Sequence, residues 1–178
     1  MVILIDLDGV VVDIESGLLA LWQQRYNEQL YTPRSREKFP LAHGCSADVA
    51  EKVHAMLREP GFFKNLPPMP GAVAALEQLR KKHDCYIVTS PGTTMQYAPT
   101  DKFAWVERYL GEYYLRHLII TPAKYMVQGD ILIDDKPLLY KEDQASWEHV
   151  LYDWKYNQHI DDKRRMTWAN WREVLLEK

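Results

Sequence analysis

The sequence predicts an α/β protein in which a doubly wound, Rossmann-like parallel sheet carries a small helical cap inserted after its first strand. Three observations support this fold class. Short runs rich in β-branched residues recur along the chain, apolar on both faces and stopped abruptly by polar residues, as strands buried inside a parallel sheet are. Segments with helical periodicity alternate with them, which is the pattern of strand-helix-strand units. The interval between the first two runs is far longer than the dozen or so residues a crossover needs, so it holds an insertion as well as a connection.

The first run, ILIDLDGVVVD at 3–13, reads as the first strand and its exit. Leu18, Leu19, Trp22 and Tyr26 then form a helical stripe within 16–30, and Asp13 is placed as a helix-start acid that suits the dipole. A second helix fits 46–59, where Ser46 can cap it, and the Pro-rich LPPMPG at 66–71 reads as a hinge or turn. The segment PGAVAALEQLRKKH at 70–83 already supplies the crossover helix, with Pro70 in its first turn beside Gly71. Residues 15–68 are therefore surplus to the sheet and are assigned to the cap, leaving 1–14 and 69–178 as the core domain. Further strands are read at CYIVTSPG (85–92), HLIITPAK (117–124), DILIDDKP (130–137) and EHVLYDW (148–154). Between the first two of these lies a helical stripe of Trp105, Val106, Tyr109 and Leu110. A last amphipathic segment with Trp168, Trp171, Val174 and Leu175 follows a Thr167 cap and is expected to pack back on the sheet.

At 178 residues, 47% of them apolar, the chain is one domain-sized unit on the usual scale of roughly 100 to 200 residues. Its 22 basic and 25 acidic residues leave a net charge of −3, which offers no polybasic field for wrapping a nucleic-acid polymer or sitting on an anionic membrane. Two cysteines, Cys45 and Cys85, are too few for a disulfide framework or a thiolate metal site. Asp6 and Asp8 interrupt the N-terminus where a signal peptide needs a continuous apolar stretch, so a soluble, cytoplasmic protein is expected. The six histidines show no metal-ligand spacing and read as surface or packing residues, with His43 in the cap loop the one to watch. Trp22, Trp105, Trp168 and Trp171 fall at helical spacing and read as core, while Phe62 and Phe63 either line the cap or anchor it.

In open α/β sheets ligands bind beyond the carboxyl ends of the strands, so the residues that stop each run carry the functional argument. The first strand stops at Asp6 and Asp8, the second at Thr89 and Ser90, the third at Thr121 followed by Lys124, and the fourth at Asp134 and Asp135. Alternation places Asp6 and Asp8 on one side, and Gly9 lets the chain leave through a conformation few other residues tolerate. Two acids held together can divide labour, one as an ionised nucleophile and its neighbour, kept protonated by repulsion and burial, as general acid. Asp134 and Asp135 add negative charge that calls for a cation, and an all-oxygen set of this kind suits Mg²⁺. Four carboxylates, one Mg²⁺ and two lysines sum formally to zero if Lys102 joins Lys124, and a phosphate dianion then meets no gross repulsion.

The ordered set of D-x-D-G after strand one, Thr or Ser after strand two, a later lysine and a DD pair after strand four resembles the haloacid dehalogenase superfamily of phosphatases. Longer stretches, DLDGVVVD, FFKNLPPMPGAV, IVTSP, DKFAWVERYLG, ILIDDKP and SWEHVLY, resemble the 5'(3')-deoxyribonucleotidase family along nearly the whole chain. The resemblance implies that Asp6 attacks phosphorus and forms an aspartyl phosphate, while Asp8 protonates the leaving oxygen and then activates water. It implies phosphate binding by Thr89, Ser90, Lys124 and Lys102, and Mg²⁺ held by Asp6, the main-chain carbonyl of Asp8 and Asp135, with Asp134 beside it. It also implies a homodimer. An acid at Asp8 argues against dehalogenase chemistry, which has no leaving alkoxide to protonate.

Family members read the base through aromatic and apolar residues, and Phe39 matches such a position. Pro40, Leu41, Ile14 and Leu57 are smaller or less aromatic than the family pattern, which leaves room for purines as well as pyrimidines. The implied function is a Mg²⁺-dependent phosphomonoesterase acting on deoxyribonucleoside monophosphates. Two alternatives stay open: the same chemistry on another small phosphate ester, and a non-catalytic nucleotide-binding domain. A receiver-type phosphoacceptor domain is disfavoured, because it has no place for the helical insertion or for a DD pair after strand four.

Overall fold

The computed structural model describes residues 1–176. Its strands are β1 (Val2–Ile5), β2 (Asp84–Thr89), β3 (Leu118–Ile120), β4 (Ile131–Asp134), β5 (Glu148–Tyr152) and β6 (Arg165–Met166). All pair in parallel, in the order β3-β2-β1-β4-β5-β6. The helices are α1 (Ile14–Tyr26), α2 (Ala47–Leu57), α3 (Ala72–Leu79), α4 (Ala98–Arg116, broken at Gly111) and α5 (Trp171–Leu176). No described helix is long and apolar enough to cross a membrane.

The central strand explains why the runs lack alternation. In β1, Ile3 and Ile5 enter the main core while Leu4 joins Val88, Leu132 and Trp147 on the opposite face. Successive side chains point to opposite faces, so burial of all three means that both faces are covered. Ile3 is in register with Cys85 on one side and Ile131 on the other. The chain winds outward from β1 through β2 to β3, then returns to build β4, β5 and β6 on the other side. That reversal opens a crevice beyond the carboxyl ends of β1 and β4.

Several predicted boundaries are corrected. The run at 3–13 is a strand only to Ile5; Val10, Val11 and Val12 are buried in a tight loop closed by Val11 and Val12 N–H groups donating to the Leu7 carbonyl at 2.9 and 2.8 Å. The helix expected over 16–30 starts at Ile14, where Asp13 accepts from the Ser16 amide at 3.0 Å, and stops at Asn27, whose φ of 52° is left-handed. The helix expected over 46–59 closes at Leu57, with Ser46 accepting from the Val49 amide at 3.4 Å. Pro70 lies outside α3, because Gly71 has φ 81° and the helix begins only at Ala72. Thr167 does not cap α5 directly: its amide donates to Asn170 Oδ1 at 2.7 Å in a turn that precedes Trp171.

The chain between β1 and β2 carries α1, α2 and α3. Leu18, Trp22, Val53 and Met56 from this interval share one continuous apolar cluster with Ile3, Ile5 and Trp105. Trp105 also donates its indole N–H to the Leu66 carbonyl at 2.8 Å. The four tryptophans expected in the core are buried there.

Candidate active site

Beyond β1 and β4 lies a cavity of about 410 Å³. All but one of the residues singled out from the sequence for the site line it: Asp6, Asp8, Thr89, Ser90, Lys102, Lys124, Asp134 and Asp135, together with Ile14, Phe39, Leu41 and Leu57. Thr121 does not; its hydroxyl accepts from the Ala123 amide at 3.0 Å, closing the turn that carries Lys124.

Asp6 continues the line of β1, its amide donating to the Ile133 carbonyl at 2.8 Å. Lys124, in a one-turn 3₁₀ helix after β3, reaches both Asp6 Oδ1 at 2.5 Å and Asp134 Oδ2 at 2.7 Å. All three side chains are buried. Lys102 stands in the second turn of α4 and is 2% exposed, so it is a site residue and not a solvated helix lysine. Its ammonium contacts Asp8 Oδ2 at 2.7 Å, Thr89 Oγ1 at 3.0 Å and the Ser90 carbonyl at 2.5 Å. Each lysine therefore serves one of the two acids of the D-x-D pair.

Gly9 has φ 77°, and a Cβ there would stand 2.3 Å from Asp135 Oδ2. Glycine is required both by the backbone and by the close approach of the fourth strand's carboxylate. The loop is held from behind by two indoles: Trp154 donates to the Gly9 carbonyl and Trp168 to the Val10 carbonyl, each at 2.7 Å.

Asp6, Asp134 and Asp135 are buried, and each offers a carboxylate oxygen within 4.8 Å of the others. Burial pushes the Asp6 carboxyl up to about 7, with Asp134 and Asp8 adding to the rise and Lys124 opposing it. Burial likewise raises Asp135 well above the usual carboxylate range, reinforced by Asp134 and Asp6. For Lys124 burial works the other way, yet Asp134 and Asp6 outweigh it and hold the ammonium above the ordinary lysine value. The cluster is thus short of positive charge, and its donors are all oxygen, as Mg²⁺ prefers.

Several lining residues were not anticipated. His54, not His43, is the histidine at the cavity, exposed in the last turn of α2. Phe63 lines the cavity whereas Phe62 packs edge-on against it, with ring centroids 5.1 Å apart. Arg36 and Lys136 are also on the wall. Tyr156, just past β5, donates its hydroxyl to Asp135 Oδ2. The signal was available: the same rule about strand ends, carried on to the fifth run, points to the aromatic DWKYN segment.

A haloacid dehalogenase-like family hydrolase from Streptococcus pneumoniae superposes with a TM-score of 0.56 over 95% of both chains, at 15% identity, a likeness of fold. Sheet order and this likeness define a fold of the haloacid dehalogenase type. The family described as 5' nucleotidase, deoxy (pyrimidine), cytosolic type C protein matches residues 1–177. The human 5'(3')-deoxyribonucleotidase, cytosolic type, is 36% identical, with 99% of this chain and 94% of the relative covered. The human mitochondrial 5'(3')-deoxyribonucleotidase is 35% identical over 99% of this chain and 82% of its own length. The 5'(3')-deoxyribonucleotidase of Clostridium acetobutylicum is 28% identical over 92% and 90%. The chain belongs to the 5' nucleotidase, deoxy (pyrimidine), cytosolic type C family, and is a phosphoric monoester hydrolase.

Proposed function

We propose that the protein is a Mg²⁺-dependent 5'(3')-deoxyribonucleotidase that dephosphorylates deoxyribonucleoside monophosphates through an aspartyl phosphate on Asp6. The observation that carries this reading is the pairing of Asp6 with Lys124 and of Asp8 with Lys102 in one cavity that Phe39 also lines. An Asp6 oxygen attacks phosphorus in line; the phosphorus–oxygen ester bond breaks, and the departing ribose oxygen takes the proton of Asp8. Asp8, now a carboxylate, takes a proton from water, which attacks the same phosphorus and frees phosphate and Asp6. Lys124 and Lys102, with Thr89 and Ser90, hold phosphate oxygens, so the chain's work is positioning and charge neutralisation.

The donor chemistry fits the cation: Asp6, Asp134 and Asp135 would hold it together with the main-chain carbonyl of Asp8. When bound it would supply the positive charge that lets a phosphate dianion approach four acids and two lysines. On the nucleoside side, Phe39 offers a stacking face, while Ile14, Leu41 and Leu57 leave the pocket wide enough for either base class. The reading takes residues 15–68 as the cap and includes a cytoplasmic homodimer, the compartment being the one in the name of the human cytosolic-type relative.

The test is a phosphate-release panel of 5' and 3' nucleoside monophosphates, ribo and deoxy, purine and pyrimidine, with Mg²⁺. Deoxyribonucleotides are expected to lead. Turnover of a sugar phosphate with none of any nucleotide overturns the substrate assignment.

A second prediction concerns pH. The Asp6 carboxyl is raised from 3.8 to about 7, so its contribution to stability is full below the unfolded value and is lost as pH rises through about 7. A cation that displaces this proton should therefore raise the melting temperature more at pH 8 than at pH 5.5. An equal shift at both pH values, or none, speaks against Mg²⁺ among these acids.

A further inference from the structure

We propose that Tyr156 is a positioning residue that aims the carboxylate of Asp135 and, through its ring, ties that acid to the chain segment forming the nucleoside wall of the cavity. This rests on Asp6, Asp134 and Asp135 holding a divalent cation. Tyr156 lies in the one-turn 3₁₀ helix Lys155–Asn157 and is 1% exposed. Its hydroxyl donates to Asp135 Oδ2, the oxygen that also closes on Gly9, which leaves the second oxygen for a cation. The next residue fixes the backbone of the same acid: Asn157 Nδ2 donates to the Asp135 carbonyl at 2.9 Å and to the Tyr152 carbonyl at 2.8 Å.

The ring itself is held on several sides. It stacks on Trp154 with centroids 5.5 Å apart and planes 15° from parallel. The Arg36 guanidinium carbon lies 4.3 Å from its centroid, and the Phe39 ring meets it edge-on at 5.8 Å. Arg36 is fixed in turn, pairing with buried Glu15 at 2.9 Å and donating to the carbonyls of Lys38, at 2.9 Å, and Phe39. A buried ion pair of this kind is costly to disturb. The stretch that presents Phe39 is therefore pinned to the same side chain that orients Asp135, and a group hydrogen-bonded to a ligating carboxylate governs how well that carboxylate receives a metal.

The decisive experiment measures binding of Mn²⁺ alone by electron paramagnetic resonance to the full chain, in wild type, Tyr156→Phe and Tyr156→Leu, followed by kinetics with dUMP at saturating Mn²⁺. Tyr156→Phe keeps the ring and loses only the hydroxyl. Its Mn²⁺ affinity is expected to fall by about tenfold, with kcat recovered at high Mn²⁺ and KM unchanged. Tyr156→Leu also removes the seat of Arg36 and Phe39, so KM is expected to rise as well. Wild-type Mn²⁺ affinity in Tyr156→Phe overturns the positioning role, and an unchanged KM in folded Tyr156→Leu overturns the tie to the cavity wall. If wild type itself fails to bind Mn²⁺, the cation reading falls instead, so the two failures are distinguishable.

Discussion

Asp6→Asn is expected to lower kcat by about four orders of magnitude or more, with a native circular dichroism spectrum and no phosphoenzyme trapped by acid quench. The substitution preserves shape and changes one property. An amide cannot take the place of a carboxylate oxygen as nucleophile, so the covalent step is lost outright. The site should survive, because Lys124 keeps Asp134 at 2.7 Å as an ionic partner and the Asp6 main-chain amide keeps its bond to Ile133. Asp8 stays paired with Lys102, so proton transfer machinery remains in place without a partner reaction. Substantial residual hydrolysis in this variant removes Asp6 as nucleophile.

Lys124→Met is expected to cost about 10³ in kcat and to destabilise the metal-free protein by about 3 to 5 kcal/mol. Two separate losses combine here. The phosphate loses a cationic clamp that acts in a buried setting, where electrostatic preorganisation counts most. Asp6 and Asp134 also lose the ammonium between them, leaving two buried acids facing one another. Because Asp6 can escape the penalty by taking up a proton, the destabilisation should be larger at pH 8 than at pH 5.5, and Mg²⁺ should recover part of it. Denaturant melts at the two pH values, with and without Mg²⁺, measure this directly. A loss independent of pH contradicts the arrangement of charges described above.

How much of this was legible beforehand depended on whether a residue's role is local. Asp6, Asp8, Asp134 and Asp135 could be placed because a strand ends where its apolar run ends, and alternation along β1 decides which side the acids share. Lys102 could be assigned only through resemblance; spacing alone does not show that α4 starts just late enough for its second turn to reach back to Thr89 and Ser90. Gly9 marks where the chain leaves the strand, but the β-branched composition of Val10, Val11 and Val12 cannot reveal that they fold into a buried loop closed on Leu7. The two residues of β6 are too few to leave a periodic trace. For Tyr156 the strand-end rule points to the segment but not to the role. Its partners, Asp135, Arg36 and Phe39, come from three distant stretches, and no local pattern encodes a meeting of that kind.

Gly9 carries a consequence for exchanging parts between relatives. D-x-D-G is written as a unit of the first loop, yet the residue that forbids a side chain at its fourth position is Asp135, at the end of another strand. The two sites depend on one another in space although they are far apart in the chain. A chimaera that grafts onto this body a first loop with a side chain at that position must change the fourth strand's end with it, or the new Cβ will meet the Asp135 carboxylate.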